Sequence, residues 1–452
     1  MFLKKIVSEG LAHYSYIAGD AGEAFVVDPR RDVDSYIRIA RKNCCKIKFV
    51  FETHRNEDYL VGSLLLEKET GCQVIHSRSL DFDYGNPASE GEIFDIGGMK
   101  LKILETPGHS PESLSFILFY SGEPWCVFTG DTLFYGNAGR TDLFGKEKVV
   151  ENASLMFDSL QKLLTLNDGV IVYPAHGSGS ACGGSISDIP ASTIGFERVS
   201  NPYLRMNRED FLERKKNEII PLPPYFARMA EQNQKGPNAL ANQKIKPMGT
   251  LEFEEAMHEC TIVDTRSPLG FAGGHLKGSY NIWLHGMATF PGWILDYEKN
   301  MLLVTERQED VELARLYLAR IGFDKVSGYL CEGIPGWYSQ GLPLEKSGVL
   351  TAGGFSDKSK EEDMFVLDVR DKEEYAEGHI PGAVNIYVGE LEGRANDVPS
   401  DRQVVTVCAL GNRAGLGASI LKRQGFERVY NLIGGMRAWK EKGYPVKQED
   451  GD

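Results

Sequence analysis

The 452-residue sequence has no cysteine pair at C-x-x-C spacing, no long apolar run and no excess of positive charge. Its eight cysteines are scattered, which favours a reducing compartment over a disulfide framework. No run approaches the roughly 18–20 apolar residues that cross a bilayer, and the N-terminus lacks the apolar core of a signal peptide. The net charge of −14 argues against nucleic acid or an anionic membrane as a partner. We therefore expect a soluble, cytoplasmic protein.

The composition, with 42% apolar and 25% charged residues, is that of a globular protein, and the length predicts roughly three domains. Residues 1 to about 200 alternate short strand patterns with a few helical ones, which predicts two sheets with helices packed outside. The polar, proline-broken segment from 205 to about 246 is predicted to be a connecting arm. The predicted strands are 24–29, 47–51, 74–75, 101–104, 114–119, 125–128 and 170–173, and the predicted helices are 32–42, 60–70 and 150–164.

The rest of the chain contains an internal repeat. The Ile-Val-Asp-Thr-Arg segment at 262–266 returns as Val-Leu-Asp-Val-Arg at 366–370, and the segment at 274–282 returns at the same offset at 378–386. Trp337 and its following Gly and Pro return with Trp439. Each unit alternates β and α patterns over about 100 residues, which predicts two small α/β domains with doubly wound sheets.

The second unit places Cys408 between a strand pattern at 404–407 and a helix pattern at 414–424. A cysteine in such a loop faces backbone N–H groups and the positive end of the helix dipole, which stabilise a thiolate or a persulfide. Gly411 lets the loop curl around the sulfur, and Arg413 offers a fork for an oxyanion. A buried, inert cysteine is the alternative, which the composition of the loop disfavours.

These residues resemble the rhodanese family of sulfurtransferases, in which a six-residue loop opening with Cys and closing with Arg carries sulfane sulfur. In the first unit Thr305 takes the place of the cysteine and Asp310 that of the arginine. That loop cannot carry sulfur, and its acidity repels sulfite or thiosulfate, so we expect the first unit to be structural or a docking domain. The resemblance implies Cys408 and Arg413 as catalytic residues, with Gly411 and Asn412 binding substrate.

Four stretches in the first 180 residues end a strand pattern with a polar loop or tight turn and a metal-capable side chain. Such side chains can converge from the carboxyl ends of several strands. Their T-H-x-x-x-D, T-P-G-H, T-G-D and P-A-H patterns together resemble the metallo-β-lactamase fold. The four side chains are His54, His109, Asp131 and His176.

Dinuclear members of that fold, such as glyoxalase II, use a His-x-His-x-Asp-His run. Here Asn56 and Tyr59 replace two of those histidines, and neither is a good zinc ligand. A second metal held only by Asp58, His176 and a shared Asp131 would be under-coordinated. We therefore reject a two-zinc hydrolase as the leading interpretation and expect Asp58 and His176 to form hydrogen bonds that orient the ligands.

The remaining set of His54, His109 and Asp131 has two imidazoles and one carboxylate, which is typical of non-haem Fe(II) oxygenases. Within the fold, this set resembles the persulfide dioxygenases, and Gly-Arg-Thr-Asp at 139–142 resembles an element of that group. The resemblance implies a mononuclear Fe(2+) cofactor, with zinc as the alternative, and a thiol persulfide and O₂ as substrates. We assign Arg140 and Tyr173 to substrate binding.

Together these resemblances imply a persulfide dioxygenase–rhodanese fusion. We expect a metallo-β-lactamase αββα sandwich with a helical arm over 1–240, an inactive rhodanese domain over 247–345 and an active one over 349–450. The implied function is sulfide detoxification: oxidation of a glutathione- or coenzyme A-type persulfide to sulfite, and sulfur transfer through Cys408 to or from sulfite and thiosulfate. A zinc thioester hydrolase fused to a sulfurtransferase, a non-enzymatic persulfide carrier, decay of the metal site and a homo-oligomer all stay open.

Overall fold

The computed structural model describes residues 1–180, 182–183, 186–218, 220–240 and 244–449. The predicted end of the last domain, residue 450, lies outside them. The chain divides into two compact units, residues 1–241 with 319–322 and residues 242–318 with 323–452. Among the described residues, no helix is both long enough and apolar enough to cross a lipid bilayer.

The first unit contains two six-stranded sheets, in the orders β1-β2-β3-β4-β5-β6 and β14-β13-β10-β9-β8-β7. A small hairpin of β11 and β12 stands apart from both sheets. The strands are β1 (Phe2–Ser8), β2 (His13–Asp20), β3 (Glu23–Val27), β4 (Lys46–Phe51), β5 (Gln73–Ser77), β6 (Asn86–Ala88), β7 (Ile93–Ile96), β8 (Met99–Glu105), β9 (Leu114–Tyr120), β10 (Glu123–Gly130), β11 (Leu133–Phe134), β12 (Asn137–Ala138), β13 (Ile171–Pro174) and β14 (Ser192–Thr193).

Successive residues of the central strands point to opposite faces of their sheets, and both faces are apolar. Phe25 and Phe116 enter the core between the two sheets, whereas their neighbours Val26 and Ile117 enter the outer cores beneath the helices. The αββα sandwich is therefore confirmed. Its helices are α1 (Asp34–Lys42), α2 (Ser63–Thr70), α3 (Val149–Leu163), α4 (Ile194–Ser200), α5 (Arg208–Asn217) and α6 (Phe226–Lys235).

The strand and helix predictions were right for most buried elements, but they missed the buried strand β2, in which His13, Ser15 and Gly19 interrupt the apolar pattern, and they were incomplete at the sheet edges. The edge strands β1, β6 and β7 carry too many exposed polar residues to show an apolar pattern. Helix α2 begins at Ser63 rather than at residue 60, because the N–H of Val61 donates to the Asn233 side chain and that of Gly62 to the Pro29 carbonyl.

The predicted arm contains α5 and α6, and it packs onto the sandwich. Phe211 of α5 enters the core beneath α3, and Asn233 of α6 lies buried against the loop that follows β4. The Asn233 amide donates to the carbonyls of Asn56 and Tyr59, both at 2.7 Å. The arm therefore holds the loop that carries the first predicted metal ligand.

The second unit contains two five-stranded parallel sheets of the same topology, β15-β19-β18-β16-β17 and β20-β24-β23-β21-β22. The strands are β15 (Lys246–Met248), β16 (Thr261–Asp264), β17 (Tyr280–Asn281), β18 (Met301–Val304), β19 (Val326–Leu330), β20 (Gly348–Leu350), β21 (Met364–Asp368), β22 (Val384–Asn385), β23 (Gln403–Val407) and β24 (Val429–Leu432). The helices are α7 (Thr250–Ala256), α8 (Pro268–Gly273), α9 (Phe290–Ile294), α10 (Asp310–Arg320), α11 (Gly333–Ser339), α12 (Ala352–Glu361), α13 (Lys372–Ala376), α14 (Leu391–Arg394), α15 (Asn412–Arg423) and α16 (Gly435–Glu441).

Helix α15, which follows the Cys408 loop, is buried from Ala414 to Leu421. Eight consecutive residues cover every face of a helix, so α15 must be enclosed on all sides. One side packs on its own sheet, and another meets the preceding domain, where the N–H of Asn281 donates to the Ser419 hydroxyl at 2.9 Å. The two α/β domains therefore share this helix as part of one packed unit.

Candidate active sites

The first candidate site lies at the carboxyl ends of strands in the sandwich. Thr53 follows β4, and its N–H and hydroxyl both donate to the Asp28 carboxylate at 2.8 Å. The Thr53 hydroxyl also lies 2.9 Å from Nδ1 of His54. Because the hydroxyl proton points to Asp28, the oxygen accepts from Nδ1, and Nε2 of His54 is left as a bare electron-pair donor.

His109 is fixed in the same way by a backbone group. Its Nδ1 lies 3.1 Å from the Arg140 carbonyl, which can only accept, so Nε2 again carries the free electron pair. The preceding Gly108 has φ of 139°, and a Cβ there would collide with the backbone of Met156 in α3. Only glycine allows this turn to lie so close to the helix.

Asp131 follows β10, and its two carboxylate oxygens face different groups. Gly130, which precedes it, has φ of 52°, and a Cβ there would lie 2.7 Å from the Thr53 side chain. Oδ1 of Asp131 lies 2.7 Å from Nδ1 of His176. The second oxygen, Oδ2, points away from His176 and towards the two other histidines.

Four buried atoms converge at this point: Nε2 of His54, Nε2 of His109, Oδ2 of Asp131 and Oε2 of Glu57. Oδ2 of Asp131 is 3.8 Å from the His54 nitrogen and 3.4 Å from the His109 nitrogen. Among the described residues, none of the four atoms has a hydrogen-bond partner. Polar atoms are rarely left unpaired in a protein interior, so the donor set fits a cation held between them.

The protonation states of His54, His109 and Asp131 also suit metal binding. Burial lowers the pKa of His54 to about 3 and also lowers the pKa of His109, although Asp131 opposes both shifts. Both imidazoles are therefore neutral at physiological pH, as metal ligands must be. Burial opposes ionisation of Asp131, but the neighbouring histidines hold its pKa below the usual range. Burial and the Glu112 carboxylate raise the pKa of Glu57 to about 8.

His176 lies between two carboxylates. Its Nδ1 contacts Asp131 and its Nε2 is 2.8 Å from Oδ2 of Asp58, so both ring nitrogens are engaged. Burial opposes a charge on His176, but Asp131 and Asp58 outweigh burial and raise its pKa well above the usual value. The imidazolium therefore places one positive charge beside the two carboxylates.

Cys182 also lies here, and the sequence offered no motif to identify it. Its thiol belongs to a group with Asp58 and His176 whose ligand atoms lie within 4.8 Å of one another. Burial, followed by the charges of Asp58 and Asp131, raises the pKa of this thiol well above its usual value. A protonated thiol is a poor metal ligand.

The two positions where histidine is missing have structural roles instead. The Asn56 amide donates to the His54 carbonyl at 3.1 Å, which holds the loop in its turn. Tyr59 is buried, its hydroxyl donates to the Asp28 carbonyl at 3.3 Å, and its ring lies 4.0 Å from that of His13.

The predicted substrate-binding residues of the sandwich lie among protein groups. The buried guanidinium of Arg140 bonds to both oxygens of Asp142, at 2.7 and 2.9 Å, and to the carbonyls of Ile220 and Pro221. These contacts use donors of Arg140 to hold the loop whose carbonyl orients His109, and the assignment of Arg140 to substrate binding stays a prediction. The Tyr173 ring stacks on Phe128, 5.6 Å away, in the core between the sheets.

The second candidate site is the loop from Cys408 to Arg413, between β23 and α15. Cys408 is buried, and the N–H of Gly411 donates to its sulfur at 3.0 Å. Gly411 has φ of 108°, a conformation that other residues rarely adopt and that turns this N–H inwards. Asn412 is the first residue of α15, so the positive end of the helix follows directly. The loop can stabilise an anionic sulfur.

Arg413 is held by a carboxylate that the sequence did not reveal. Its guanidinium makes two hydrogen bonds to Glu374 of α13, the longer at 2.7 Å. Burial would raise the pKa of Glu374, but Arg413 outweighs burial and holds it at about 2. Glu374 lies 39 positions before Arg413 in the chain, and the ion pair fixes the arginine beside the loop.

The corresponding loop of the preceding domain has different chemistry. Thr305 is buried where the cysteine would be, and Asp310 begins α10. Asp310 accepts from the Arg307 guanidinium at 2.8 and 3.2 Å, within its own loop. Neither a sulfur nucleophile nor an arginine at the end of the loop is present there.

Comparisons with known proteins agree with this architecture. The family model described as Metallo-beta-lactamase superfamily matches residues 9–176, and that described as Rhodanese-like domain matches residues 250–340 and 351–442. A solved metallo-beta-lactamase from Staphylococcus aureus subsp. aureus COL is 30% identical, with a TM-score of 0.66, over 73% of this chain and 98% of that chain. The chain belongs to the metallo-β-lactamase superfamily. Two rhodanese domains follow the metallo-β-lactamase domain, which confirms the predicted fusion.

Two curated relatives are similar to the metallo-β-lactamase domain. Mitochondrial persulfide dioxygenase ETHE1 of Mus musculus is 27% identical over 232 residues, which are 49% of this chain and 84% of that protein. Hydroxyacylglutathione hydrolase GloC of Haemophilus influenzae is 30% identical over 212 residues, which are 42% of this chain and 91% of that protein. The fold is a metal-binding one, and its combination with rhodanese domains indicates an enzyme of sulfur metabolism.

Proposed function

We propose that the protein oxidises a low-molecular-weight thiol persulfide with O₂ to sulfite at a mononuclear non-haem iron. His54, His109 and Asp131 would bind the iron, and Cys408 would transfer sulfane sulfur to or from sulfite and thiosulfate. The observation that carries the proposal is the presence, in one chain, of this inward-facing donor set and of a rhodanese loop whose N–H group contacts its cysteine. The reactions proposed for the two sites both act on sulfane sulfur, which supports assigning them together.

At the metal centre, an iron ion would supply the redox chemistry by which O₂ oxidises the terminal sulfur. A persulfide, O₂ and water then give the thiol, sulfite and two protons. The chain's own residues prepare this centre: Thr53 and the Arg140 carbonyl fix the tautomers of His54 and His109. The burial of all three ligands keeps bulk water from competing for them.

At the second site, the Cys408 thiolate attacks the terminal sulfur of another persulfide. The sulfur–sulfur bond of the substrate breaks, the thiol leaves with the proton, and Cys408 becomes a persulfide. The Gly411 N–H and the start of α15 stabilise its anionic terminal sulfur. Sulfite then attacks that sulfur, which releases thiosulfate and regenerates the thiolate. The reverse sequence uses the same groups.

The proposal is tested by metal analysis and O₂ uptake. Protein purified anaerobically with iron supplied should contain about one iron per chain and should consume O₂ when glutathione persulfide is added. Coenzyme A persulfide in a parallel assay identifies the preferred carrier thiol. Stoichiometric zinc, with no O₂ consumption by the iron-loaded protein, would refute the oxidation.

A zinc-dependent thioester hydrolase fused to a sulfurtransferase is the second candidate, which the similarity to hydroxyacylglutathione hydrolase GloC favours. It predicts release of glutathione from a hydroxyacyl-glutathione thioester by the zinc-loaded protein. A persulfide carrier without metal chemistry instead predicts that His109→Ala leaves all sulfur conversions unchanged.

The coupling of the two sites is tested with Cys408→Ser. This variant should keep the O₂ uptake of the wild type, because Cys408 has no part in the oxidation. Its product should shift from thiosulfate to sulfite, measured by chromatography of the derivatised anions. Unchanged thiosulfate formation would contradict the assigned role of Cys408.

A further inference from the structure

We propose that Glu57 is a fourth protein ligand of the metal at His54, His109 and Asp131, so that the centre has two imidazoles and two carboxylates. Glu57 is only 3% exposed, and its Oε2 lies 4.0 Å from Nε2 of His54 and 3.9 Å from Nε2 of His109. This inference concerns metal binding alone and does not depend on the reaction proposed above.

The two oxygens of Glu57 have different surroundings. Oε1 accepts from the Arg55 guanidinium at 3.4 Å, whereas Oε2 has no hydrogen-bond partner among the described residues. A buried polar oxygen without a hydrogen-bond partner is unfavourable, and a bound cation would provide the missing partner. Because Oε2 faces the same point as three other unpartnered donor atoms, one cation would satisfy all four.

The spacing of these atoms suits a single ion. Metal–ligand distances of about 2.0–2.2 Å place two ligand atoms about 3.0 Å apart at a right angle, about 3.4 Å apart at a tetrahedral angle and about 4.2 Å apart when opposite. The four separations measured here between the histidine nitrogens and the carboxylate oxygens are 3.4, 3.8, 3.9 and 4.0 Å. Oε2 of Glu57 therefore lies slightly farther from the two histidine nitrogens than Oδ2 of Asp131 does, and a small adjustment would bring it to a common metal ion.

The local sequence explains how the carboxylate reaches this position. His54 and Glu57 are three residues apart in a loop that the Asn56 amide closes onto the His54 carbonyl. Where dinuclear relatives use a second histidine at position 56, this chain has Asn56 facing the backbone and an acidic residue one position later. The carboxylate thus compensates for the lost imidazole.

A fourth ligand restricts which metals can work here. Four protein ligands complete the tetrahedral shell of zinc and leave no position for a substrate. A six-coordinate ion such as Fe(II) keeps two positions free, and carboxylate-rich sites suit harder ions. Glu57 therefore favours a six-coordinate metal at a catalytically active centre.

The test uses Co²⁺ as a spectroscopic probe in the full-length protein. Glu57→Gln keeps the size of the side chain but weakens its oxygen as a ligand. The matched control is Glu52→Gln, because Glu52 is equally buried on the same loop, but both its oxygens accept from the Tyr84 hydroxyl. Affinity is measured by competition with a chelator, and coordination by the visible absorption of Co²⁺.

We expect Glu57→Gln to lower Co²⁺ affinity at least about tenfold and to change the absorption bands, whereas Glu52→Gln should stay within about twofold of wild type. Wild-type affinity and spectrum in Glu57→Gln would overturn the proposal. A crystal structure of the zinc-loaded wild type decides the question independently of any variant. A Glu57 oxygen at about 2.0–2.2 Å from the metal supports ligation, and one beyond about 3 Å refutes it. Neither measurement depends on catalysis, so ligation by Glu57 can be supported or refuted even if the O₂-uptake assay fails.

Discussion

The two rhodanese domains share a scaffold in atomic detail and differ at one loop. Asp264 pairs with Arg266 at 2.6 Å, and Asp368 pairs with Arg370 at the same distance. His275 stacks on Phe271 with ring centroids 3.7 Å apart, as His379 does on Tyr375 at 3.8 Å. The indole N–H of Trp337 donates to the Pro343 carbonyl and that of Trp439 to Pro445, at 3.0 and 2.8 Å.

The difference lies in the groups that would handle sulfur. Cys408 and Arg413 have Thr305 and Asp310 as counterparts, and Gln308 stands where Gly411 turns its N–H towards the sulfur. The partner of Arg413, Glu374, aligns with Gly270, so both members of that ion pair are absent together. The comparison shows that contacts serving the fold can be kept while the chemistry is removed at a handful of loop positions.

The largest expected effect comes from moving the cysteine. Cys408→Ser should lower thiosulfate:cyanide sulfurtransferase activity by at least about 10³-fold, because the nucleophile is lost. Adding Thr305→Cys to this variant should not restore activity, since the first domain lacks the inward N–H and the arginine. Recovery of more than a few per cent of wild-type activity would show that the scaffold alone suffices.

The next effect tests the shared scaffold. Asp264→Asn and Asp368→Asn should each destabilise their own domain by about 3–5 kcal/mol, because each leaves a buried arginine without its counter-charge. The two losses should agree within about 1 kcal/mol, measured by urea denaturation. A large loss in one domain and none in the other would contradict the equivalence of the two scaffolds.

A smaller effect tests the support that the first domain gives to the second. Gly415→Ala in α15 should destabilise the protein by about 1–3 kcal/mol, because the added methyl would lie 2.8 Å from Pro268 of the first domain. The control is Gly353→Ala in α12, where the atom nearest to the new methyl is the Tyr444 hydroxyl oxygen at 3.8 Å. Because this methyl meets no obstacle, the higher helix propensity of alanine should stabilise the protein by up to about 1 kcal/mol. If thermal unfolding showed that the two variants change stability in the same direction, the packing argument would be refuted.

The smallest effect concerns the ion pair present only in the second domain. The Glu374 pKa of about 2 lies below its usual 4.5, so the pair stabilises the fold above about pH 4.5 and loses this contribution as the pH falls towards 2. Glu374→Gln should cost about 1 kcal/mol at pH 7, since the pair is only partly buried. The difference in unfolding free energy between Glu374→Gln and the wild type should vanish at acid pH. A difference that stays constant with pH would contradict a stabilising Glu374–Arg413 ion pair.

The sequence predicted most of the fold and the three side chains, His54, His109 and Asp131, whose ligand atoms converge in the sandwich. Apolar strand patterns are evident for most strands that are buried on both faces, although not for β2, and the repeat is recognisable because it matches at many aligned positions. His54, His109 and Asp131 were identifiable because each follows a recognisable turn. The thiol site was equally clear, since Cys408, Gly411 and Arg413 lie in one loop.

Several residues that support the two candidate sites could not be predicted, because their roles depend on contacts between residues distant in the chain. Glu374 meets Arg413 only through the packing of α13 beside α15, and Asn233 meets the loop after β4 only through docking of the arm. Glu57 lies in a polar loop, where sequence alone gives no reason to expect burial. Arg140 was assigned from a motif, which could not reveal that its guanidinium faces Asp142.

The enclosure of α15 has a consequence for how this chain could change by deletion. Removing the first rhodanese domain would leave the helix behind Cys408 exposed along the side that now meets Asn281. A shorter chain without the first domain would still contain Cys408, Gly411 and Arg413, but it would expose a side of α15 that is buried in the full chain.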